Sequence, residues 1–168
     1  MFLVDSSRSI NNGKFEAALA ELVYAIRRLT PKQYFYVIFF DGDTLRMFDA
    51  KNPEPRPLAA TQENIRRLEY WLPTVELELG TAPYDSFVFA MERLPDAVYV
   101  LTDGKFTDKG KTENFLKKTN QIDDPILGQQ VKVAIHAIGF GQDEPTLKEL
   151  AEKNGGTYRF VPPIKKPK

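Results

Sequence analysis

The sequence predicts a doubly wound α/β fold, in which helices cover both faces of a mostly parallel central sheet. Short apolar segments, typical of strands that are buried on both faces, recur as AVYVL at 97–101 and VKVAIHAI at 131–138. Longer segments with apolar residues at helical spacing separate these runs. Buried strands that alternate with amphipathic helices are typical of parallel sheets in α/β proteins.

The first half of the chain opens with a short strand, FLV, that ends at Asp5. Apolar residues at helical spacing then predict a helix over 14–29. The run YFYVIFF at 34–40 predicts a buried strand, and the Asp-Gly turn after it predicts a short antiparallel strand at 44–48, at the edge of the sheet. The proline-rich stretch 51–60 predicts a surface loop.

The second half continues the alternation. Its predicted elements are, in chain order, a helix at 62–72, a helix that follows the loop 75–85 and buries Phe87, Ala90, Met91 and Leu94, a strand at 97–101, a weaker helix around 115–116, a strand at 131–138, a helix around 147–151 and a strand at 158–161. We see no internal repeat and no second domain in this pattern.

The length and composition predict one globular domain. The chain has 168 residues, of which 42% are apolar and 27% charged, so it is long enough to bury a sizeable core. We predict that this domain spans residues 1–162 and that 163–168 form a basic tail. Because FLV is short for a central strand, we also expect the chain to be a piece of a longer protein, cut just inside the domain edge.

Charge and cysteine content exclude several classes of function. Lys plus Arg and Asp plus Glu are both 23, which argues against a nucleic-acid protein, since nucleic-acid affinity usually depends on a basic surface. The sequence contains no cysteine, which excludes disulfides, thiolate metal sites and cysteine nucleophiles but does not fix a compartment. No apolar run approaches the ~20 residues that span a bilayer, so we expect no membrane insertion by this domain.

Oxygen-bearing side chains follow two of the predicted buried strands. Asp5, Ser7 and Ser9 come after the first strand, and Thr102 and Asp103 come at the end of AVYVL. In open α/β sheets, ligands bind outside the carboxyl ends of the strands, where the strand order reverses. If these two strands are neighbours there, their oxygens form a cluster that suits Mg²⁺ or Mn²⁺ rather than Zn²⁺ or Cu²⁺.

These residues resemble the metal-ion-dependent adhesion site of von Willebrand factor type A domains. The D-x-S-x-S element of that family matches DSSRS at 5–9, and the family's aspartate after a buried strand matches Asp103 in VYVLTDG. Between them, GTAPYD at 80–85 is similar to the family's threonine loop, with Leu79 where a first glycine often stands. The resemblance covers essentially the whole chain.

The resemblance implies a function and a set of ligands. It implies a metal-dependent protein–protein interaction module of the adhesion type rather than an enzyme, with a Mg²⁺ or Mn²⁺ ion whose open position takes an Asp or Glu side chain of a protein partner. It favours a bacterial parent protein, and we expect this parent to be secreted or membrane-anchored through a segment outside this fragment. The metal ligands that it implies are Asp5, Ser7, Ser9, Thr81 and Asp103.

Other interpretations of the same residues stay open. Serines after a strand often cap the next helix, and this applies to Ser7 and Ser9. The alternative function is a Mg²⁺-dependent phosphate-ester hydrolase that uses Asp41 or the Asp5 cluster, because DGDTL at 41–45 is similar to the D-x-D-x-T or D-x-D-x-V motif of a phosphatase superfamily. Leu45 departs from that motif, so we favour a hairpin turn there.

Overall fold

The computed structural model describes residues 1–11, 13–48, 51–104, 106–141 and 143–162, and it confirms the predicted fold class. In chain order, the strands of this described part are β1 (Phe2–Asp5), β2 (Tyr34–Phe35), β3 (Val37–Phe40), β4 (Thr44–Arg46), β5 (Leu58–Ala59), β6 (Ala97–Thr102), β7 (Gln121–Asp124), β8 (Gly128–Val131), β9 (Ala134–Phe140) and β10 (Tyr158–Val161). Its α-helices are α1 (Lys14–Arg27), α2 (Gln62–Trp71), α3 (Tyr84–Met91), α4 (Lys109–Thr119) and α5 (Pro145–Lys153).

The central sheet has six strands in the order β10-β9-β6-β1-β3-β4. Its neighbours are parallel except at the edge, where β4 pairs antiparallel with β3, as the sequence predicts. The chain leaves β1 toward β3 on one side and later returns to β6 on the other. The strand order therefore reverses at β1, and the carboxyl ends of β1 and β6 flank the switch point.

Helices cover both faces of this sheet. Phe15 of α1 and Trp71 of α2 pack edge-on against Phe39 of β3, with ring centroids 6.1 Å and 5.6 Å away. Alternate residues of an extended chain point to opposite faces, and Tyr36 on the other face stacks on Phe89 of α3 at 5.2 Å. None of the described helices is both long and apolar enough to cross a bilayer.

The strand predicted at 34–40 is divided in two. Only Val37–Phe40 belongs to the central sheet. Strand β1 begins at Phe2, which pairs with Val37, so the residues before Val37 have no parallel partner in β1. Tyr34–Phe35 instead pairs antiparallel with Leu58–Ala59, inside the stretch predicted as a loop. The prediction of an irregular loop throughout 51–60 is therefore wrong at its end.

The strand predicted at 131–138 begins later than expected and runs further, as Ala134–Phe140. Val131 belongs to β8, which forms a hairpin with β7 that the sequence analysis missed. The turn of this hairpin is held by Asp124, whose Oδ1 accepts hydrogen bonds from the backbone N–H groups of Ile126 and Leu127, both at 2.8 Å. The strands of the hairpin are polar, so they carry no apolar alternation that would predict them.

Leu94 does not belong to the core, contrary to the prediction. Helix α3 ends at Met91, and Leu94 lies beyond it with φ of +43° and a side chain that is 62% exposed. The helical spacing of apolar residues continues past the point where the backbone turns toward β6. Periodicity alone therefore extends this helix too far.

Gly156 is expected to be a position where the fold accepts no side chain. A Cβ there would overlap the carbonyl oxygen of Ile135 in β9, so Gly156→Ala is expected to lower the free energy of unfolding by about 3 kcal/mol or more. Gly110 of α4 is the matched control, because a Cβ there meets no atom within 4 Å. Gly110→Ala is expected to stabilise by up to about 1 kcal/mol. Urea unfolding followed by circular dichroism measures both, and equal stabilities would contradict the prediction.

Candidate metal site at the carboxyl ends of the strands

The two aspartates of the predicted site lie at the switch point of the sheet. Asp5 is the last residue of β1, and Asp103 directly follows β6. The two strands are adjacent and parallel, with Val4 beside Leu101, and both carboxylates are buried. The prediction that these strands are neighbours is therefore confirmed.

Both oxygens of Asp5 accept short hydrogen bonds. The backbone N–H of Ser7 donates to Oδ1 at 2.8 Å, and the Thr102 hydroxyl donates to Oδ2 at 2.6 Å. Burial raises the pKa of Asp5 from 3.8 to about 6, although the hydrogen bonds from Ser7 and Thr102 oppose this shift. A nearby cation stabilises the ionised form of a buried carboxylate more than that of an exposed one, because the cation replaces the solvation that burial removes.

Ser7 and Ser9 connect the two aspartates, through the backbone N–H of Ser7 at Asp5 and through the two hydroxyls toward Asp103. Ser7 Oγ lies 2.9 Å from Ser9 Oγ, and Ser9 Oγ donates to Asp103 Oδ1 at 3.2 Å. Ser7 precedes a 3-10 turn at Arg8–Ile10 without a side-chain capping hydrogen bond, and the N-cap of α1 is Gly13. The hydroxyls thus face the aspartates instead of helix amides. This arrangement favours the ligand interpretation over the capping interpretation.

Thr81 lies on a loop that is fixed against the same edge of the sheet. Its neighbour Gly80 has φ of +95°, and a Cβ there would lie 2.8 Å from the Cα of Gly42, so the loop approaches the 41–43 turn as only glycine allows. The backbone N–H of Ala82, the residue after Thr81, donates to the carbonyl of Asp41 at 2.6 Å. Direct hydrogen bonds connect Asp5 with Ser7 and Asp103 with Ser9, whereas Thr81 is tied to the site through these backbone contacts.

Lys14 is a member of the site that the sequence analysis missed. Its ammonium donates to Asp103 Oδ2 at 2.9 Å, and the Lys14 side chain is 22% exposed. The sequence did contain a signal: Lys14 is the first residue of α1, where the positive end of the helix dipole disfavours a cation. This signal is not specific, because α4 also begins with a lysine, Lys109.

Asp41, the residue of the hydrolase alternative, is engaged in its own turn. Its Oδ2 accepts a hydrogen bond from the Ser6 hydroxyl at 2.9 Å, and its Oδ1 accepts one from the backbone N–H of Asp43 at 2.9 Å. A nucleophilic carboxylate needs an oxygen that faces the substrate. The geometry of Asp41 therefore favours the hairpin-turn interpretation.

His136 lies toward the opposite end of the sheet. It pairs with Tyr99 in β6, which pairs with Phe2, and Phe2 lies three residues before Asp5, about 10 Å along the strand. Its ring stacks on Tyr99 at 4.8 Å, and its Nδ1 accepts a hydrogen bond from the backbone N–H of Thr157. Burial lowers the pKa of His136, so the ring is neutral near pH 7.

The donor atoms of the site fit a hard divalent cation. Ligands of an octahedral Mg²⁺ at ~2.1 Å lie about 3.0 Å from each other, and the Ser7 and Ser9 hydroxyls are 2.9 Å apart. Within the described residues, no group of three or more His, Cys, Asp or Glu side chains is placed to hold a metal ion. Any cation here therefore depends on the hydroxyls as well as on Asp5 and Asp103.

Comparison with known proteins identifies the class of this fold and site. The sequence matches the family model of the von Willebrand factor type A domain over residues 1–160, and the chain belongs to this family. Inter-alpha-trypsin inhibitor heavy chain H4 of Sus scrofa is 26% identical over 176 residues, which cover 96% of this chain and 18% of that protein. The Homo sapiens protein of the same name is 25% identical with the same coverage. The chain thus spans about a fifth of the length of these curated relatives.

Solved structures confirm the fold. A von Willebrand factor type A protein from Catenulispora acidiphila superposes with a TM-score of 0.76 at 20% identity, covering 95% of this chain and 37% of that one. The conserved hypothetical protein BatB from Bacteroides thetaiotaomicron superposes with a TM-score of 0.69 at 14% identity, covering 97% of this chain and 89% of that one. The family resemblance inferred from the sequence is confirmed, whereas the bacterial origin and the metal ligands stay predictions.

The raised pKa of Asp5 predicts how stability depends on pH without metal. The folded state binds this proton more tightly than the unfolded state, so ionised Asp5 destabilises the fold above pH 6, and the penalty disappears as the pH falls toward 4. With chelator present, Asp5→Asn is expected to be more stable than the wild type by roughly 2–3 kcal/mol at pH 8 and equally stable near pH 4. Urea unfolding across this pH range measures the difference, and a pH-independent difference would contradict the prediction.

Proposed function

We propose that this domain binds a protein partner through a Mg²⁺- or Mn²⁺-type ion held by Asp5, Ser7, Ser9, Thr81 and Asp103. The observation that carries the proposal is the hydroxyl bridge from Ser7 to Ser9 to Asp103. It places neutral oxygens between two buried carboxylates at the switch point of the sheet. Protein–protein interaction is common among von Willebrand factor type A domains, and this supports the same proposal at the level of the family.

The residue types support capture of a carboxylate. The serine and threonine hydroxyls are neutral ligands, so the two aspartates alone offset the charge of a divalent ion. Ser9 is exposed, whereas Asp5, Ser7 and Asp103 are buried, so the cluster opens to solvent beside Ser9. A bound ion supplies a Lewis-acidic position to an incoming oxygen, and the chain itself holds the ligands in place and shields them from water on the other sides.

The rim beside Ser9 supports a protein as the source of that oxygen. Arg8, next to Ser9, has a side chain that is 61% exposed and lies 3.7 Å from Glu78. Leu79, adjacent to Glu78, is 70% exposed and offers an apolar contact. Arginine and apolar side chains are both common in protein–protein interfaces, so this rim is suited to contact a protein. His136, the single histidine, lies far from this rim, so it is not placed to act as a base there.

Loss of one hydroxyl ligand is expected to weaken metal binding. Ser9→Ala removes the oxygen that bridges Ser7 and Asp103, and we expect the affinity for Mg²⁺, measured by isothermal titration calorimetry, to fall at least about tenfold. Ser6→Ala is the matched control, since the Ser6 hydroxyl belongs to the same segment but bonds Asp41. Ser6→Ala removes none of the proposed ligands, so it is expected to bind Mg²⁺ more tightly than Ser9→Ala does. A wild-type protein that binds neither Mg²⁺ nor Mn²⁺ at millimolar concentration would overturn the proposal.

The assignment of Thr81 is tested by the same titration. Thr81→Ala is expected to weaken Mg²⁺ binding as Ser9→Ala does, while circular dichroism shows an unchanged fold. Thr107 is the control, because its hydroxyl donates to the carbonyl of Thr81 at 3.1 Å and supports the loop without being one of the proposed ligands. If Thr107→Ala weakens binding as much as Thr81→Ala, loop order rather than ligation explains the effect.

The open position is expected to bind a carboxylate. With protein in excess over Mn²⁺, acetate that contacts the bound ion has its methyl proton signal broadened, whereas methylammonium, a cation of similar size, is not attracted. We expect stronger broadening of acetate than of methylammonium, and in Asp5→Ala we expect this difference to fall to that given by the same concentration of free Mn²⁺. Equal broadening of both probes, with Mn²⁺ shown by calorimetry to be bound, would contradict carboxylate capture but not metal binding.

A further inference from the structure

Lys14 reaches the candidate site from the first turn of α1. Its ammonium donates to Oδ2 of Asp103, whose other oxygen accepts from Ser9. The Asp103 side chain is only 2% exposed, so this ion pair is shielded from solvent on the carboxylate side. Shielded pairs are screened less by salt and water than surface pairs. The contact therefore differs from the exposed ion pairs elsewhere on the molecule.

The surrounding structure holds Lys14 in this place. The positive end of the helix dipole disfavours a cation at the first position of α1, and Asp103 offsets that cost. On the other side, Gly141 follows β9, and a Cβ there would lie 2.6 Å from Cδ of Lys14. The lysine stem thus occupies the space that a side chain at residue 141 would fill. This position is built from three elements of the fold.

We propose that Lys14 is the resident counter-cation of this site, meaning that its ammonium neutralises Asp103 without metal and competes with a divalent ion for that carboxylate. This inference rests on the proposed function and adds a consequence for the partner. Two carboxylates, one ammonium and one divalent ion leave one positive charge in excess. Lys14 therefore weakens metal binding and strengthens the attraction of the loaded site for an incoming carboxylate.

The test replaces Lys14 with two uncharged side chains. Lys14→Met keeps the length of the stem, and Lys14→Gln keeps a donor for Asp103. For both, we expect Mg²⁺ affinity in isothermal titration calorimetry to rise about tenfold, because a unit charge beside a divalent ion is removed. Broadening of the acetate signal by the Mn²⁺-loaded variants is expected to fall, since the excess positive charge is gone. These opposite changes separate a counter-cation from a residue that only supports the fold.

Two control variants isolate the position of the charge. Lys153→Met removes the same formal charge at the end of α5, where Lys153 pairs with Glu149 at 3.4 Å. Helix α5 begins after the carboxyl end of β9 and runs back along the sheet, so its last residue lies away from the site. We expect Lys153→Met to change Mg²⁺ affinity less than twofold. Lys14→Arg, which keeps the charge, is expected to bind Mg²⁺ like the wild type.

Thermal unfolding gives an independent readout. Without metal, Lys14→Met leaves the buried Asp103 carboxylate without its ammonium, so we expect a lower melting temperature than in the wild type. Saturating Mg²⁺ is expected to raise the melting temperature of the variant more than that of the wild type.

Unchanged or weaker Mg²⁺ affinity in both uncharged variants, with wild-type binding intact, would overturn the inference about Lys14 but not the proposed function. If neither the wild type nor the variants bind Mg²⁺, the proposed function and the inference both fail.

Discussion

The parallel pairing of β1 with β6 is the constraint on which the site depends. This register sets Val4 beside Leu101, so the two carboxylates lie together at the carboxyl ends of the strands. Asp5 is the last residue of β1, and Asp103 is the first residue after β6. β1 is buried along its whole length and β6 is buried at its carboxyl end, and this packing holds that geometry. The same burial removes water from Asp5 and raises its pKa, so the packing that positions this carboxylate also favours a cation beside it.

The loop that carries Thr81 is held at the site by backbone contacts rather than by strand pairing. Gly80 and Gly42 bring the Thr81 loop against the 41–43 turn, and Ala82 donates to the carbonyl of Asp41. The Asp41 carboxylate in turn bonds the Ser6 hydroxyl. A turn that resembles a phosphatase motif in sequence therefore links the end of β3 with both loops that carry the proposed ligands. This role explains the acidic and glycine residues of the turn without a catalytic function.

The sequence predicts the buried strands and amphipathic helices, which follow from local pattern. It also predicts the place of the site, which follows from the rule that ligands bind at the carboxyl ends of parallel strands. Asp5 and Asp103 were expected together because each follows a buried strand, and the structure confirms that the strands are neighbours. Lys14 was missed because helical periodicity describes which face of α1 is buried and not what lies beyond its first residue. The division of the 34–40 run and the polar β7–β8 hairpin were also missed. The division depends on where the distant partner strand β1 begins. The hairpin depends on one side chain in its turn, that of Asp124.

The choice of hydroxyls instead of further carboxylates determines what such a site is suited to do. A third aspartate in the place of Ser9 would bind a cation more strongly, but its charge would cancel the attraction for an anionic partner. Ser7 and Ser9 supply oxygens at an octahedral spacing without adding charge, and Lys14 removes part of the charge that Asp103 brings. With the proposed ion bound, the domain would give up metal affinity and keep an electropositive position at the solvent-facing end of β1 and β6. A carboxylate from another protein is the ligand that such a position complements best.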